Sequence, residues 1–178
     1  MKIHGTAKGG ALSKKDFGVA FAKSVTPSSE LWSVTGTGQA DQFNNTESIS
    51  ILAQRFQTGH ELIGQTITRF DASIKKIGSP TGNITGRIIN SSNEEQLNLG
   101  TLDSSTLSSS YETKTFENTD GYELENGDRL ALYFTTDNDS NTVNWSMNTS
   151  SESNTNGSYF TGSWTERSRD FTMSVWGY

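Results

Sequence analysis

The sequence contains no cysteine, two prolines and two histidines. Without cysteine the chain has no disulfide framework, no thiolate zinc site and no cysteine nucleophile. No segment approaches the roughly 18 consecutive apolar residues that a membrane helix requires, so we expect no membrane insertion. The first residues also lack the 7–15-residue apolar stretch of a secretory signal, so the given sequence contains no predicted signal peptide.

Charged residues are also scarce, at 19% of the 178 positions, and they give a net charge of -6. The 14 basic residues are scattered, with adjacent pairs only at Lys14-Lys15 and Lys75-Lys76. Binding to nucleic acid depends on clusters of Lys and Arg that neutralise phosphates. The charge pattern therefore predicts that nucleic acid is not a partner.

Aromatic residues and turn formers are what the sequence does contain. Only 31% of it is hydrophobic, yet it has 9 Phe, 5 Tyr, 4 Trp and 17 Gly. Disordered chains are poor in aromatic residues, so this composition favours a folded domain with a thin core. Good helix formers are outnumbered by Ser, Thr, Asn and Gly, which favours an all-β fold.

Short segments with strand-like patterns recur from residue 29 onward. In the longest of them Phe70, Ala72 and Ile74 alternate with polar residues, which predicts a strand with one buried and one solvated face. The turns 79–82 and 125–128 contain Gly, Pro, Asn or Asp at positions that suit them. The predicted strands are 31–34, 50–57, 63–77, 84–89, 111–116, 129–134, 143–147 and 171–176.

Many short strands in about 150 residues indicate an antiparallel two-sheet β-sandwich, jelly-roll-like, over residues 29–178. Residues 1–28 are rich in Gly, Ala and Lys and predict an extended N-terminal arm or peripheral strand. Such an arm, from Lys2 to Ala22, either adds a strand to a neighbouring subunit or folds onto its own domain. The first alternative predicts a homo-oligomer.

Several motifs between about residues 52 and 177 resemble one family of β-sandwich domains. They are the strand from Ile67 ending in Lys76 with the Gly-Ser-Pro-Thr-Gly turn 78–82, the segment 102–111, the turn 124–128, and the closing segments 162–165 and 170–177. The family occurs in phage, archaeal-virus and environmental surface proteins, often as a C-terminal module. The resemblance implies a jelly-roll display or binding module without a fixed ligand.

We therefore expect a non-enzymatic structural or surface protein of a virion or extracellular assembly, with polar loops displayed for adhesion or decoration. Its expected partners are other copies of itself or other structural subunits. The alternative function is a lectin-like carbohydrate-binding module. A surface glycan would then be the ligand.

Aromatic residues beside polar loops are the candidates for glycan binding. Trp145, Tyr159 and Trp164, with Phe160 between them, lie in or next to segments rich in Asn, Ser and Thr. Aromatic faces stack on the C–H faces of sugars while neighbouring amides and hydroxyls bond to sugar hydroxyls. The competing interpretation assigns Trp145 and Trp164 to the core or to an interface.

A calcium site is the candidate for a metal. Asp137, Asp139 and Asn141 offer oxygen ligands at alternate positions, as calcium prefers, although the segment does not match an EF-hand loop. The same residue types are common in polar turns, and that interpretation is favoured. No other cofactor is expected.

The residues expected of a hydrolase are missing or poorly placed. His4 lies in the predicted arm, His60 lies in a turn, and the chain contains no Gly-x-Ser-x-Gly motif. The paired carboxylates Glu94 and Glu95 occur in turn-like sequence, where solvated acids are common. The sequence therefore predicts that the protein is not an enzyme.

Overall fold

A computed structural model describes residues 28–136, 138–150 and 154–178 of the chain. The predicted arm, apart from Ser28, lies outside these residues, so its conformation and the proposed division at residue 28 stay predictions. The described residues form strands joined by turns, with a single 3-10 turn at Ser104–Thr106. The strands are β1 (Ser29–Val34), β2 (Gln39–Gln42), β3 (Ile51–Phe56), β4 (Thr66–Ile77), β5 (Asn83–Ile89), β6 (Glu95–Asp103), β7 (Glu112–Glu123), β8 (Arg129–Tyr133), β9 (Thr142–Asn148), β10 (Thr155–Phe160), β11 (Trp164–Arg167), β12 (Asp170–Phe171) and β13 (Met173–Gly177).

These strands form two antiparallel sheets that pack against each other, which confirms the predicted β-sandwich. The first sheet has seven strands in the order β1-β13-β4-β9-β12, with β2 paired to β9 and β7 paired to β4. The second sheet has six strands in the order β11-β10-β3-β8-β5-β6. Strand β4 is long enough to pair with β13 near its start and with β9 near its end.

The predicted strands all occur, with shifted ends, but the sequence did not reveal four others. These are β2, β6, β10 and β11. The predicted final strand is divided into β12 and β13, which pair with different neighbours. In β4 the predicted faces are correct for Phe70, Ala72 and Ile74, which are fully buried. Asp71 departs from the prediction, because it is buried on the opposite face.

Aromatic rings fill much of the space between the sheets. Trp145 of β9 stacks on Phe171 with ring centroids 4.3 Å apart and on Phe70 at 6.2 Å, and Phe70 in turn stacks on Phe116. The inward-facing Gly86 of β5 makes room for Phe116, since a Cβ atom there would lie 2.6 Å from that ring. A chain with few aliphatic residues therefore builds its core from stacked rings.

One buried polar contact joins the two sheets. Gln54 of β3, in the second sheet, donates from Nε2 to Oδ1 of Asp170 of β12, in the first sheet, at 2.6 Å. The amide oxygen of Gln54 accepts a bond from the backbone N–H of Phe171 at 2.8 Å. Gln54 and Asp170 are both fully buried. Buried polar groups are tolerated only when they are bonded, so this contact fixes the position of β12 over β3.

We expect Gln54→Ala to lower the free energy of unfolding by about 1–3 kcal/mol, because the Phe171 N–H loses its acceptor and Asp170 loses this donor. Urea unfolding followed by tryptophan fluorescence measures the change. Gln96→Ala is the matched control, since Gln96 is exposed on β6. Equal stability of the two variants would contradict the role assigned to Gln54.

Candidate functional site

A continuous row of side chains crosses the second sheet on the face that points away from the core. Strand pairing places these side chains opposite one another from β11 to β6, and we call them the outer row. Its aromatic members are followed by two threonines whose hydroxyls lie 3.2 Å apart. The outer row consists of Trp164, Phe160, Ile51, Tyr133, Thr85 and Thr101.

A groove of about 300 Å³ opens along the central part of this row. Its size is at the lower end of the range for small-molecule sites. Polar side chains at its wall contribute hydroxyls, an amide and a guanidinium, and they come from Ser50, Asn83, Thr85, Arg87 and Thr135. The apolar part of the wall, which includes two half-buried aromatic rings, comes from Ile51, Tyr133, Phe134 and Phe160. We call this set of nine residues the outer groove.

Arg87 is the only charged residue of the outer groove. Its guanidinium carbon lies 4.3 Å from the centre of the Tyr133 ring, within the range of a cation–π contact. Nη1 of Arg87 lies 2.9 Å from Oε2 of Glu95, which is on the edge strand β6. Nε of Arg87 is buried and has no hydrogen-bond partner among the described residues. The cation is thus held against the aromatic wall by one ion pair near the edge of the sheet.

Tyr133 contributes a neutral phenol to this wall. Burial raises the pKa of its hydroxyl, and this effect outweighs the opposing influence of Arg87. The hydroxyl therefore stays protonated at neutral pH and can both donate and accept a hydrogen bond.

Next to the outer groove, a second and smaller apolar cluster covers the same face of the sheet. Ala53, Ala131 and Ile89 are fully buried there, although they point away from the main core. The guanidinium of Arg129 lies 4.2 Å from the centre of the Trp164 ring. Small side chains on the central strands leave room for these larger groups.

Trp164 connects opposite edges of the second sheet. It belongs to the edge strand β11, and its indole N–H donates to the side-chain oxygen of Asn93, in the turn between β5 and β6. This bond therefore links β11 to the turn between β5 and β6 across the outer face of the second sheet. Trp164 also contacts Phe160, with ring centroids 5.3 Å apart, and so supports one wall of the outer groove.

A buried arginine stabilises the same region. Nη2 of Arg129 donates to Oε1 of Glu166 at 2.9 Å, and Arg55 lies 3.6 Å from the same oxygen. Burial lowers the pKa of Arg129 despite the opposing effect of Glu166. Since arginine is effectively always protonated in proteins, this site holds a charged group in a partly desolvated position.

The three aromatic residues predicted to bind glycan do not form one site. Trp145 is fully buried in the main core, where its Nε1 donates to the backbone oxygen of Thr172 at 3.1 Å. The prediction of glycan contact at Trp145 is therefore wrong, and the alternative assignment to the core is confirmed. Tyr159 packs against the main core, on the opposite side of β10 from Phe160, and the guanidinium of Arg167 covers its ring. Only Trp164 lies beside the outer groove.

Asp139 and Asn141, two of the three residues predicted to bind calcium, form hydrogen bonds to two different loops. The carboxylate of Asp139 accepts bonds from the backbone N–H of Asn45 and the hydroxyl of Thr46, both at 2.6 Å. The side-chain oxygen of Asn141 accepts from the backbone N–H of Ser79 at 2.8 Å. Both residues thus act as acceptors in polar turns, the favoured interpretation of this segment, and Asp137 lies outside the described residues.

His60 has a structural environment. Its ring lies between Trp32 and Phe56, with centroid distances of 5.1 and 5.0 Å, and its Nδ1 accepts from the backbone N–H of Leu62. His4 lies outside the described residues. Within the described ranges, no group of three or more His, Asp or Glu side chains is placed to hold a metal ion.

The sequence did contain a signal for part of the outer groove. The alternation that points Leu130 and Leu132 inward also points Tyr133 outward, and Phe160 stood among the aromatic candidates. No pattern in the sequence indicated that Arg87 belongs to a site. Its position beside Tyr133 follows from the pairing of β5 with β8, which are far apart in the sequence.

Arg69, on the outer face of the first sheet, also lies against an aromatic ring, as Arg87 does, but its charge is paired through two hydrogen bonds. Nε and Nη2 of Arg69 both donate to the carboxylate of Asp71, at 2.9 and 2.6 Å, and the guanidinium also stacks on Trp176. The hydroxyl of Thr115 donates to the same carboxylate at 2.7 Å. Such two-point pairing is typical of a structural ion pair.

Comparisons with protein-family models, with curated proteins and with solved structures found no match for this chain. The candidate site therefore depends on its own geometry, and the resemblance to viral and environmental surface domains stays a prediction. In the part of the chain that the structure describes, no helix is long and apolar enough to cross a membrane.

The ion pair between Asp71 and Arg69 leads to a prediction about how the free energy of unfolding depends on pH. Burial alone raises the pKa of Asp71, but the bonds from Arg69 and Thr115 outweigh burial and lower it. Because the unfolded value is about 3.9, the stabilisation is fully present above that pH and is lost as the pH falls through the lower folded-state pKa. We expect Asp71→Asn to cost about 1–2 kcal/mol at pH 7 and less at pH 2.5.

Urea unfolding at both pH values, with wild type and variant in parallel, measures this difference. Asp120→Asn is the control, since Asp120 is exposed on β7. A difference between wild type and Asp71→Asn that stays constant with pH would contradict the assignment.

Proposed function

We propose that the chain is a non-enzymatic recognition module of a virion or extracellular surface, and that it binds a saccharide in the outer groove. The observation that carries the proposal is the juxtaposition, on an outward-facing sheet, of two half-buried aromatic rings with hydroxyl and amide side chains. Tyr133 and Phe160 supply the rings, and the polar groups come from Ser50, Asn83, Thr85 and Thr135.

The rigidity of the site supports this proposal. Strand pairing sets the spacing of Phe160, Ile51, Tyr133 and Thr85, because they lie opposite one another on neighbouring strands. Sites on regular elements hold their geometry better than sites on loops, and little ordering is then required on binding. A rigid surface of this kind, lined by hydroxyl and amide groups, suits a hydroxylated ligand.

We expect Tyr133→Ala and Phe160→Ala each to weaken saccharide binding tenfold or more, about 1.4 kcal/mol, because each removes one stacking surface. A glycan array identifies a ligand, and isothermal titration calorimetry then measures its Kd for each variant. Tyr111→Ala is the matched control, since Tyr111 is a half-buried tyrosine outside the outer groove that contacts Lys75.

Thermal melting of each variant shows whether it is folded at the titration temperature. Binding that survives both groove substitutions, or that Tyr111→Ala weakens equally, would contradict the proposed site.

A second candidate function, as a subunit of a structural assembly, has its own support. Strand β1 begins at Ser29 and is an edge strand of the first sheet in the described residues. Ser28, the first described residue, precedes this edge strand, and its hydroxyl lies 3.1 Å from that of Thr68 on β4. Exposed edges are where a strand from another chain can add.

We expect the full chain to self-associate and a variant lacking residues 2–22 to be a monomer, because the removed segment would supply the added strand. Size-exclusion chromatography with light scattering measures both masses. An unchanged oligomer after the deletion would exclude strand exchange through this segment.

A further inference from the structure

We infer that the outer groove selects saccharides that carry a carboxylate, with Arg87 as the residue that recognises it. This inference rests on the proposed function and narrows it to a class of ligand. Among the described residues that line the outer groove, Arg87 is the one cation and no side chain is acidic. A neutral sugar would leave Glu95 as the charged partner of Arg87, whereas a ligand carboxylate would add a second one.

The position of Arg87 suits a carboxylate. Its guanidinium is stacked on Tyr133 and is therefore presented as a fixed plane at the aromatic wall. A planar guanidinium binds a carboxylate through two parallel N–H donors, which adds geometric selectivity to the charge attraction. A sugar ring stacked on Tyr133 or Phe160 would bring a carboxylate substituent to the same wall.

The present partner of Arg87 leaves room for this contact. Glu95 lies 2.9 Å from Nη1, and 41% of its side chain is exposed on the edge strand β6. Exposed ion pairs contribute little to stability, typically about 0–1 kcal/mol. A ligand carboxylate can therefore displace Glu95 from Arg87 or bind to Arg87 beside it. By contrast, Asp71 binds Arg69 through two bonds on the other sheet and leaves it less available.

Other charges nearby have different contacts. Asp103 lies opposite Asn83, but its carboxylate accepts from the backbone N–H of Ser105 and caps the 3-10 turn. Glu166 bonds to Arg129, further along the same face. Neither residue is among the described residues that line the outer groove, whereas Arg87 is.

The test is an array of uronate oligosaccharides, of galacturonate, glucuronate and mannuronate, each printed beside its own methyl ester. Esterification removes the charge and keeps the ring and linkage. We expect the acid to bind at least tenfold more tightly than its ester, and this preference to fall as salt screens the attraction. Calorimetry on the best pair gives the ratio of the two Kd values.

Variants then assign the preference to a residue. Arg87→Gln should reduce the ratio to near one, because the acid then loses its charged partner while the ester has none to lose. Glu95→Gln should increase the ratio, because a competing carboxylate is removed. Arg69→Gln is the matched control, an arginine stacked on an aromatic ring on the other sheet, and should leave the ratio unchanged.

The outcomes separate this inference from the proposed function. Equal binding of acid and ester, or a ratio that Arg87→Gln leaves intact, would overturn the selection of carboxylates while saccharide binding stands. A decrease in the ratio with Glu95→Gln would overturn the competition described for Arg87. Absence of binding to any saccharide, on this array and on a general one, would overturn both proposals.

Discussion

The bond between Gln54 and Asp170 is a buried polar contact between the two sheets, and it positions β12 over β3. Stacked rings attract one another over a range of offsets, so an aromatic core alone leaves small sliding movements open. A buried amide that must satisfy both a carboxylate and a backbone N–H has one acceptable position. With β12 held over β3, Phe171 reaches Trp145.

The thin core also explains the unusual outer face of the second sheet. Strands β3, β5 and β8 are central in that sheet, and their outward positions hold small or apolar residues such as Ala53, Ala131 and Ile89. A flat polar face would leave these side chains in water. Trp164, held by contacts with Arg129 and Asn93, packs on them instead, so apolar burial takes place on both faces of one sheet. The outer groove is the part of this face that the covering side chains leave open.

The sequence predicted the fold where burial leaves a period-2 pattern, as in β4 and β8. It failed for β2, β10 and β11, which are short or carry polar residues on both faces, and it missed the alternation of Leu97 and Leu99 in β6. Two of them, β6 and β11, form the edges of the second sheet, where polar sequence is expected. The alternation of Val143, Trp145 and Met147 already placed Trp145 with core residues, and its burial follows from that pattern. The outer groove could not be predicted, since it depends on which distant strands are neighbours.

The pairing of β1 with β13 has a mechanical consequence. Ser29, at the start of β1, lies opposite Gly177, at the end of β13, so the chain enters and leaves this fold at one point. A force that pulled Ser29 and Gly177 apart would break the hydrogen bonds between β1 and β13 one after another, rather than loading all of them at once. The fold is therefore weak against tension applied between Ser29 and Gly177.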